Sequence, residues 1–288
     1  MPPKRLSILG VGLLGGSIGL AVRAAGSSVH IVGYGHRATT LEKALEVGAI
    51  DEAATSCEAA VQGADLVILC TPVGLFGPIL TQIAPGLSAG AIVTDVGSTK
   101  RSVVELADRI LPKFARFVGS HPMAGSEKRG VEYARADLFQ GARCIITPTD
   151  RTDPPAAEEL ERFWQLLGMR TMRMSPADHD RLICDISHLP HAVAAALVAM
   201  QSEDSLGLAG KGFLDATRIA GGDGALWRDI LHDNRDNLVA SLGHFRGALD
   251  HLIHLLDSSR RDELAEWLDH AAERRARLLA EKLGELDS

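Results

Sequence analysis

The segment Gly119-Ser120-His121-Pro122-Met123-Ala124-Gly125-Ser126-Glu127 sets a titratable imidazole among small residues. An imidazole with a pKa near neutrality can accept a hydroxyl proton as hydride leaves the same carbon. His121 is the candidate base, provided the chain also holds a hydride acceptor. A second cluster, Ser187-His188-Leu189-Pro190-His191, has two histidines three apart, which share a face if the segment is helical. Substrate hydrogen bonding is their functional reading, and helix packing is the plain alternative for each. His179 and Asp180 lie nearby, but no HExxH pattern and no cysteine or glutamate completes a ligand set, so no metal is expected. Ser98, in Asp95-Val96-Gly97-Ser98-Thr99-Lys100, stands where a strand should end and a helix begin. Its hydroxyl, or that of Thr99, could cap the helix or face a substrate at the strand end. Arg218 offers a planar fork for a carboxylate. Trp227 could wall a ring-shaped pocket or simply fill a core. Glu127 and Lys128 could touch a ligand or remain solvated.

The hydride acceptor has its own signature. Gly10-Val11-Gly12-Leu13-Leu14-Gly15-Gly16 follows an apolar run and opens a helical pattern, the context that gives a GxGxxG match weight as a dinucleotide loop. Gly10 permits the tight turn, Gly12 admits the pyrophosphate, Gly15 lets helix pack on strand, and Leu13 and Leu14 start the helix whose N-terminus meets the charge. About twenty residues on, Gly35-His36-Arg37-Ala38-Thr39 lacks the acidic residue that binds a ribose 2′-hydroxyl. His36, Arg37 and Thr39 suit a 2′-phosphate, so NADP is preferred over NAD. Thr71 and Pro72, ending a later strand, should border the same cofactor.

These residues need a frame. Apolar runs at 6–9, 29–32, 66–69, 91–94, 117–118 and 144–146 alternate with helical patterns such as 16–25 and 40–47. Near-continuous apolar strands suit a parallel sheet covered on both faces, hence a doubly wound α/β unit. His121 is expected just beyond the strand at 117–118, at the same sheet edge. A helix at about 156–167 and a strand near 169–174 close the unit, and Ser175-Pro176 marks a boundary. Thereafter the pattern is helical: Leu238, Leu242, Phe245, Leu249, Leu252, Ile253 and Leu256 line one face, and another helix is expected from about 261 to 283. The expected domains are 1–174, dinucleotide-binding, and 175–288, helical. The apolar helix faces suit either a dimer interface or a core within the domain.

A net charge of −7 argues against non-specific nucleic-acid binding. Four scattered cysteines without a CxxC pair suit reduced thiols. No leader and no membrane-spanning apolar run is recognised, so a cytoplasmic location is expected.

Taken in order, the Gly10–Gly16 loop, Gly97-Ser98-Thr99-Lys100, His121-Pro122-Met123-Ala124-Gly125, Ser187-His188-Leu189-Pro190-His191, Thr217-Arg218-Ile219-Ala220 and Trp227-Arg228-Asp229 resemble the prephenate/arogenate dehydrogenase family of tyrosine biosynthesis. The resemblance covers nearly the whole chain. It implies a Rossmann-type domain, a helical dimerisation domain, and oxidative decarboxylation of a cyclohexadienyl substrate with hydride transfer to NAD(P). By the same resemblance His121 deprotonates the ring hydroxyl and Ser98 orients it. His191 contributes to the substrate pocket, Arg218 holds a substrate carboxylate, and Trp227 borders the site. The absent second-strand acid departs from NAD-using members. Gly221-Gly222-Asp223-Gly224 departs from the usual small-residue–Asp–Pro run and predicts a looser loop beside Arg218. The length leaves no room for a fused mutase or regulatory domain, so any feedback by tyrosine is expected at the active site. Two competitors are a 3-hydroxy-acid dehydrogenase and a non-catalytic NADP-sensing module. The first usually needs a lysine in the helical domain, and Lys211 is expected in a loop.

Overall fold

The computed structural model of the protein describes residues 3–126 and 128–286. Six strands form a parallel sheet in the order β3-β2-β1-β4-β5-β6: β1 (Arg5–Leu9), β2 (His30–Tyr34), β3 (Glu52–Ala53), β4 (Leu66–Leu69), β5 (Ile92–Asp95) and β6 (Arg116–Phe117). The apolar runs are near-continuous because alternate residues feed opposite faces. Leu6, Ile8, Leu66, Ile68 and Ile92 pack with Ile18 and Trp164, whereas Leu9, Val67, Leu69 and Val93 pack with Phe76, Leu80 and Ile83. Burial on both faces is what a parallel sheet requires.

The later strands form a second, three-stranded sheet, and here the expected single edge is corrected. β7 (Gly119–Pro122) runs antiparallel to β8 (Arg143–Thr147), which pairs in parallel with β9 (Arg170–Arg173). His121 therefore lies within a strand, opposite Ile145, rather than in a loop beyond one. Ser120 ties the two sheets together: its hydroxyl donates to the Asp95 carbonyl at 2.7 Å, and its backbone N–H donates to the Asp95 carboxylate at 3.3 Å. The Trp164 indole N–H donates to the same hydroxyl.

Strands do end near residue 174, but the compact unit does not. One unit spans 1–235 and the other 236–288. Helices Pro176–Ile183 and Leu189–Ala199, joined by a π turn at Cys184–His188, belong to the first. This continuous helix, Pro176–Ala199, corrects the expectation that no apolar run is long enough to cross a membrane: with a mean hydropathy of 1.6 over its most apolar stretch, it qualifies by length and composition. Its buried side chains include His179, Asp180 and His188, which make polar contacts inside the first unit. The second unit comprises the helix Arg261–Leu286 and most of the helix Arg235–Asp257. Val239, Ile253, Leu256 and Leu268 are exposed on it.

Candidate active site

The glycine loop has the shape its spacing predicts. Gly10 has φ +105°, and a Cβ there would meet the Cys70 backbone at 2.8 Å. A Cβ on Gly15 would lie 2.2 Å from the Gly10 carbonyl oxygen, so only glycine lets the helix Leu13–Ala24 start this close to β1. Gly12 is different: a Cβ would meet nothing within 4 Å. Open space before helix-starting N–H groups that no side chain caps is a cradle for a diphosphate. Thr71 packs against Gly10, and its buried hydroxyl lacks a partner among the described residues. Pro72 beside it is exposed. At the end of β2, His36, Arg37 and Thr39 are all exposed, and the Arg37 Nε–H donates to His36 Nε2 at 3.1 Å. Arg37 sits at the start of the helix Ala38–Glu46, whose first turn carries no acidic residue and no side-chain cap. These groups fit a dinucleotide.

Below the strand ends lies a buried charge pair. The Lys100 ammonium meets the Asp95 carboxylate, both wholly buried. Asp95 also accepts N–H groups from Gly97 and Ser120. Burial pushes Asp95 up, while Lys100 pulls it down. The pair thus anchors both the turn that carries half-buried Ser98 and the strand that carries His121. The expected cap is corrected here: neither Ser98 nor Thr99 caps the helix Arg101–Ile110. Asp180 does so from eighty residues away, accepting the N–H of Lys100 at 2.7 Å and of Arg101 at 2.9 Å.

His121 is nearly buried, and its Nδ1 lies 2.9 Å from Nε2 of His179. His179 Nδ1 in turn lies 2.8 Å from the Asp180 carboxylate. Burial, then the charges of His179 and Lys100, hold His121 well below the ordinary histidine range. Burial lowers His179 as well, against the raising effect of Asp180. Burial works to raise Asp180, but the hydrogen bonds from His179, Arg101 and Lys100 prevail and lower it. All three groups therefore stand in the state Asp⁻–His⁰–His⁰ near neutral pH. His179 and Asp180 bore no site role in the sequence, and an adjacent His-Asp pair at a helix start was the available signal.

The π turn explains how the second histidine cluster joins them. Pro190 has no N–H to give the carbonyl of Ile186, and its ring would clash there. The helix responds with a wider turn at Cys184–His188. At about 100° per residue, nine regular steps from His179 would put His188 on the opposite face. The wider turn takes up part of that rotation. His188 is wholly buried, and it is one of the charges acting on His121. Its Nδ1 accepts from the Asn234 amide at 3.1 Å, while its buried Nε2 has no partner among the described residues. Burial lowers His188 to about 4, so the neutral ring carries its proton on the unpartnered Nε2. His191 stacks on Trp227 with centroids 3.5 Å apart and planes 12° apart.

In the loop beside Arg218, Gly221 and Gly224 face open space, but Gly222 is closely packed. A Cβ on Gly222 would lie 2.4 Å from the Trp227 indole nitrogen and 2.9 Å from His191. Asp223 caps the helix Gly224–Asp233 through the Leu226 N–H and pairs with Arg129. Gly222→Ala is expected to cost about 1–3 kcal/mol, typical of overpacking, and to displace Trp227 from His191. Denaturant melts and indole fluorescence check this, and an unchanged melt would refute it. Arg218 begins a 3-10 turn, Arg218–Gly221, and is exposed. Lys211 is the first residue of a helix, Lys211–Thr217, rather than part of a loop, and is exposed. Lys128 lies over the Tyr133 ring at 5.1 Å. Glu127 lies outside the described residues. The structure thus joins His121, His179, Asp180, His188, His191 and Trp227, with Ser98 on the adjoining turn.

The chain is similar to known proteins along most of its length. Residues 18–173 match the family model for the nucleotide-binding domain of prephenate dehydrogenase, and residues 175–270 match that for its dimerization domain. The glycine loop precedes the first match. Prephenate dehydrogenase of Bacillus subtilis is 38% identical over 93% of this chain and 74% of its own length. Cyclohexadienyl dehydrogenase of Zymomonas mobilis is 33% identical over 96% of each. The crystal structure of prephenate dehydrogenase from A. aeolicus with hydroxyphenyl propionate and NAD+ superposes with a TM-score of 0.91 at 38% identity, covering 96% of this chain and 99% of that one. Arogenate dehydrogenase of Synechocystis gives a TM-score of 0.81 at 34% identity, over 95% and 99%. With two domain models spanning most of its length and relatives this similar end to end, the chain belongs to the prephenate/arogenate dehydrogenase family, as an NAD(P)-dependent dehydrogenase.

Proposed function

We propose that the protein oxidatively decarboxylates prephenate or arogenate, giving 4-hydroxyphenylpyruvate or tyrosine, with His121 as the base. The observation that carries this reading is a neutral, buried imidazole, His121, set beside the Ser98 turn and influenced by His188, whose Nε2–H is unpartnered. His121 Nε2 takes the proton of the ring hydroxyl, and Ser98 orients that hydroxyl. Bound NAD(P) supplies the hydride acceptor for the C–H pair on the same carbon. The ring carboxylate leaves as carbon dioxide, and its bonding electrons enter the ring, which becomes aromatic. No group need protonate the product carbon. Arg218 holds a substrate carboxylate, and His188, His191 and Trp227 close the pocket. Residues 1–174 bind the dinucleotide, and 175–288 supply the substrate wall and a homodimer contact. A cytoplasmic location fits this role.

NADP is the preferred cofactor in this reading, because Arg37, His36 and Thr39 stand exposed where a carboxylate would select NAD. Initial rates with prephenate and arogenate, each with NAD and NADP, test the whole reading. Absence of turnover in all four combinations would overturn it. Arg37→Ala is expected to lower kcat/KM for NADP about tenfold or more, the worth of a charge-assisted contact, and to leave NAD nearly unchanged. Equal losses with both cofactors would remove Arg37 from this role.

A further inference from the structure

We propose that His179 and Asp180 are positioning residues that fix the tautomer of His121 and share the positive charge it acquires. The proposal rests on the reading of His121 as the base. Its warrant is the order of donors and acceptors along the buried chain. Asp180, a carboxylate, only accepts, so the hydrogen on His179 must lie on Nδ1, 2.8 Å away. His179 Nε2 is then a lone pair, and the His121 Nδ1 that lies 2.9 Å from it must carry the hydrogen. One assignment satisfies both contacts with neutral rings, and it leaves the lone pair of His121 on Nε2, the nitrogen that the chain does not use. The opposite tautomer would set two lone pairs against each other.

The groups packed around this ring agree. His179 and Asp180 come from the helix Pro176–Ile183, His188 from the π turn and Lys100 from the turn after β5, with Asp95 paired to it. Cys144 on β8 is held protonated by burial. Lys100 is neutralised by Asp95, so Asp180 is the carboxylate hydrogen-bonded into the imidazole chain. When Nε2 takes the substrate proton, His121 becomes an imidazolium. Its Nδ1–H strengthens toward His179 Nε2, and the His179 Nδ1–H strengthens toward Asp180. The charge is then stabilised two rings from the substrate, with no net proton lost from the chain.

The test uses the full-length enzyme with NAD(P) and its substrate. In ¹⁵N-histidine protein near neutral pH, both His121 and His179 are expected as Nδ1–H tautomers, and an Nε2–H tautomer at His121 overturns the proposal. His179→Leu is expected to lower kcat about 100-fold or more with KM within about threefold, because it removes the acceptor that orients the base. His179→Gln, whose side-chain oxygen can still accept, is expected to recover about tenfold of that loss. Near-normal kcat in His179→Leu beside an inactive His121→Asn overturns the relay alone. Normal turnover in His121→Asn would remove the base reading itself.

Discussion

His121→Asn is expected to lower kcat by about 10²–10⁴-fold, the usual worth of a positioned general base, while cofactor affinity and folding persist. Asparagine keeps an N–H donor for His179 Nε2 and fits β7, so the chain of contacts behind the base survives. What disappears is the lone pair that takes the ring hydroxyl proton. The pH dependence has a definite sign. In this reading His121 acts when neutral, and burial above all holds it well below the usual range. The acid limb of kcat/KM is therefore expected below the unperturbed histidine pKa of about 6.5. A limb at or above that value would show a hydrated, unshifted imidazole. Near-normal turnover in the asparagine variant would assign the proton transfer elsewhere.

Lys100→Met is expected to be strongly destabilising, costing about 3–5 kcal/mol, because it strands a buried carboxylate. Asp95 would keep the N–H groups of Gly97 and Ser120 but lose its only ion-pair partner among the described residues. Burial already pushes Asp95 up, so the variant carboxylate would take a proton rather than stay charged. Adding Asp95→Asn to Lys100→Met is expected to recover much of the loss, since both charges are then gone and one amide oxygen can still accept. Urea titrations of the wild-type, single and double variants measure this. A single-variant loss under about 1 kcal/mol, or a double variant no better than the single, would contradict a buried, mutually dependent pair.

Local signals carried the sheet and the glycine loop. Leu66–Leu69 pairs over the run its apolar pattern marks, and Gly10, Gly12 and Gly15 each meet the steric condition that their spacing implies. His121 stands out in the sequence as the candidate base, but its setting does not. β7 is only four residues long and includes a proline, so nothing periodic announced it. The partners of His121 come from 58 residues away, and the cap of the helix Arg101–Ile110 from 80. Such contacts leave no local pattern, which is why Ser98 and Thr99 looked like the cap. The π turn is hidden differently: a proline can disturb a helix, but which way it rotates His188 depends on packing with distant residues. A glycine-rich run signals freedom, and Gly221 and Gly224 keep it, whereas Gly222 admits an indole that no local pattern announces.

Asp180 also bears on how this protein can be recombined. Its carboxylate closes the imidazole chain and, with the same two oxygens, seats the helix that follows the Ser98 turn. A crossover at residue 174 would therefore cut through a single interlocking part rather than between two modules. A chimaera with a foreign helical half would inherit both the strand end and the base, yet leave two helix-starting amides uncapped and His121 free to choose its tautomer. Such a hybrid should bind dinucleotide and turn over poorly until a carboxylate is restored at position 180.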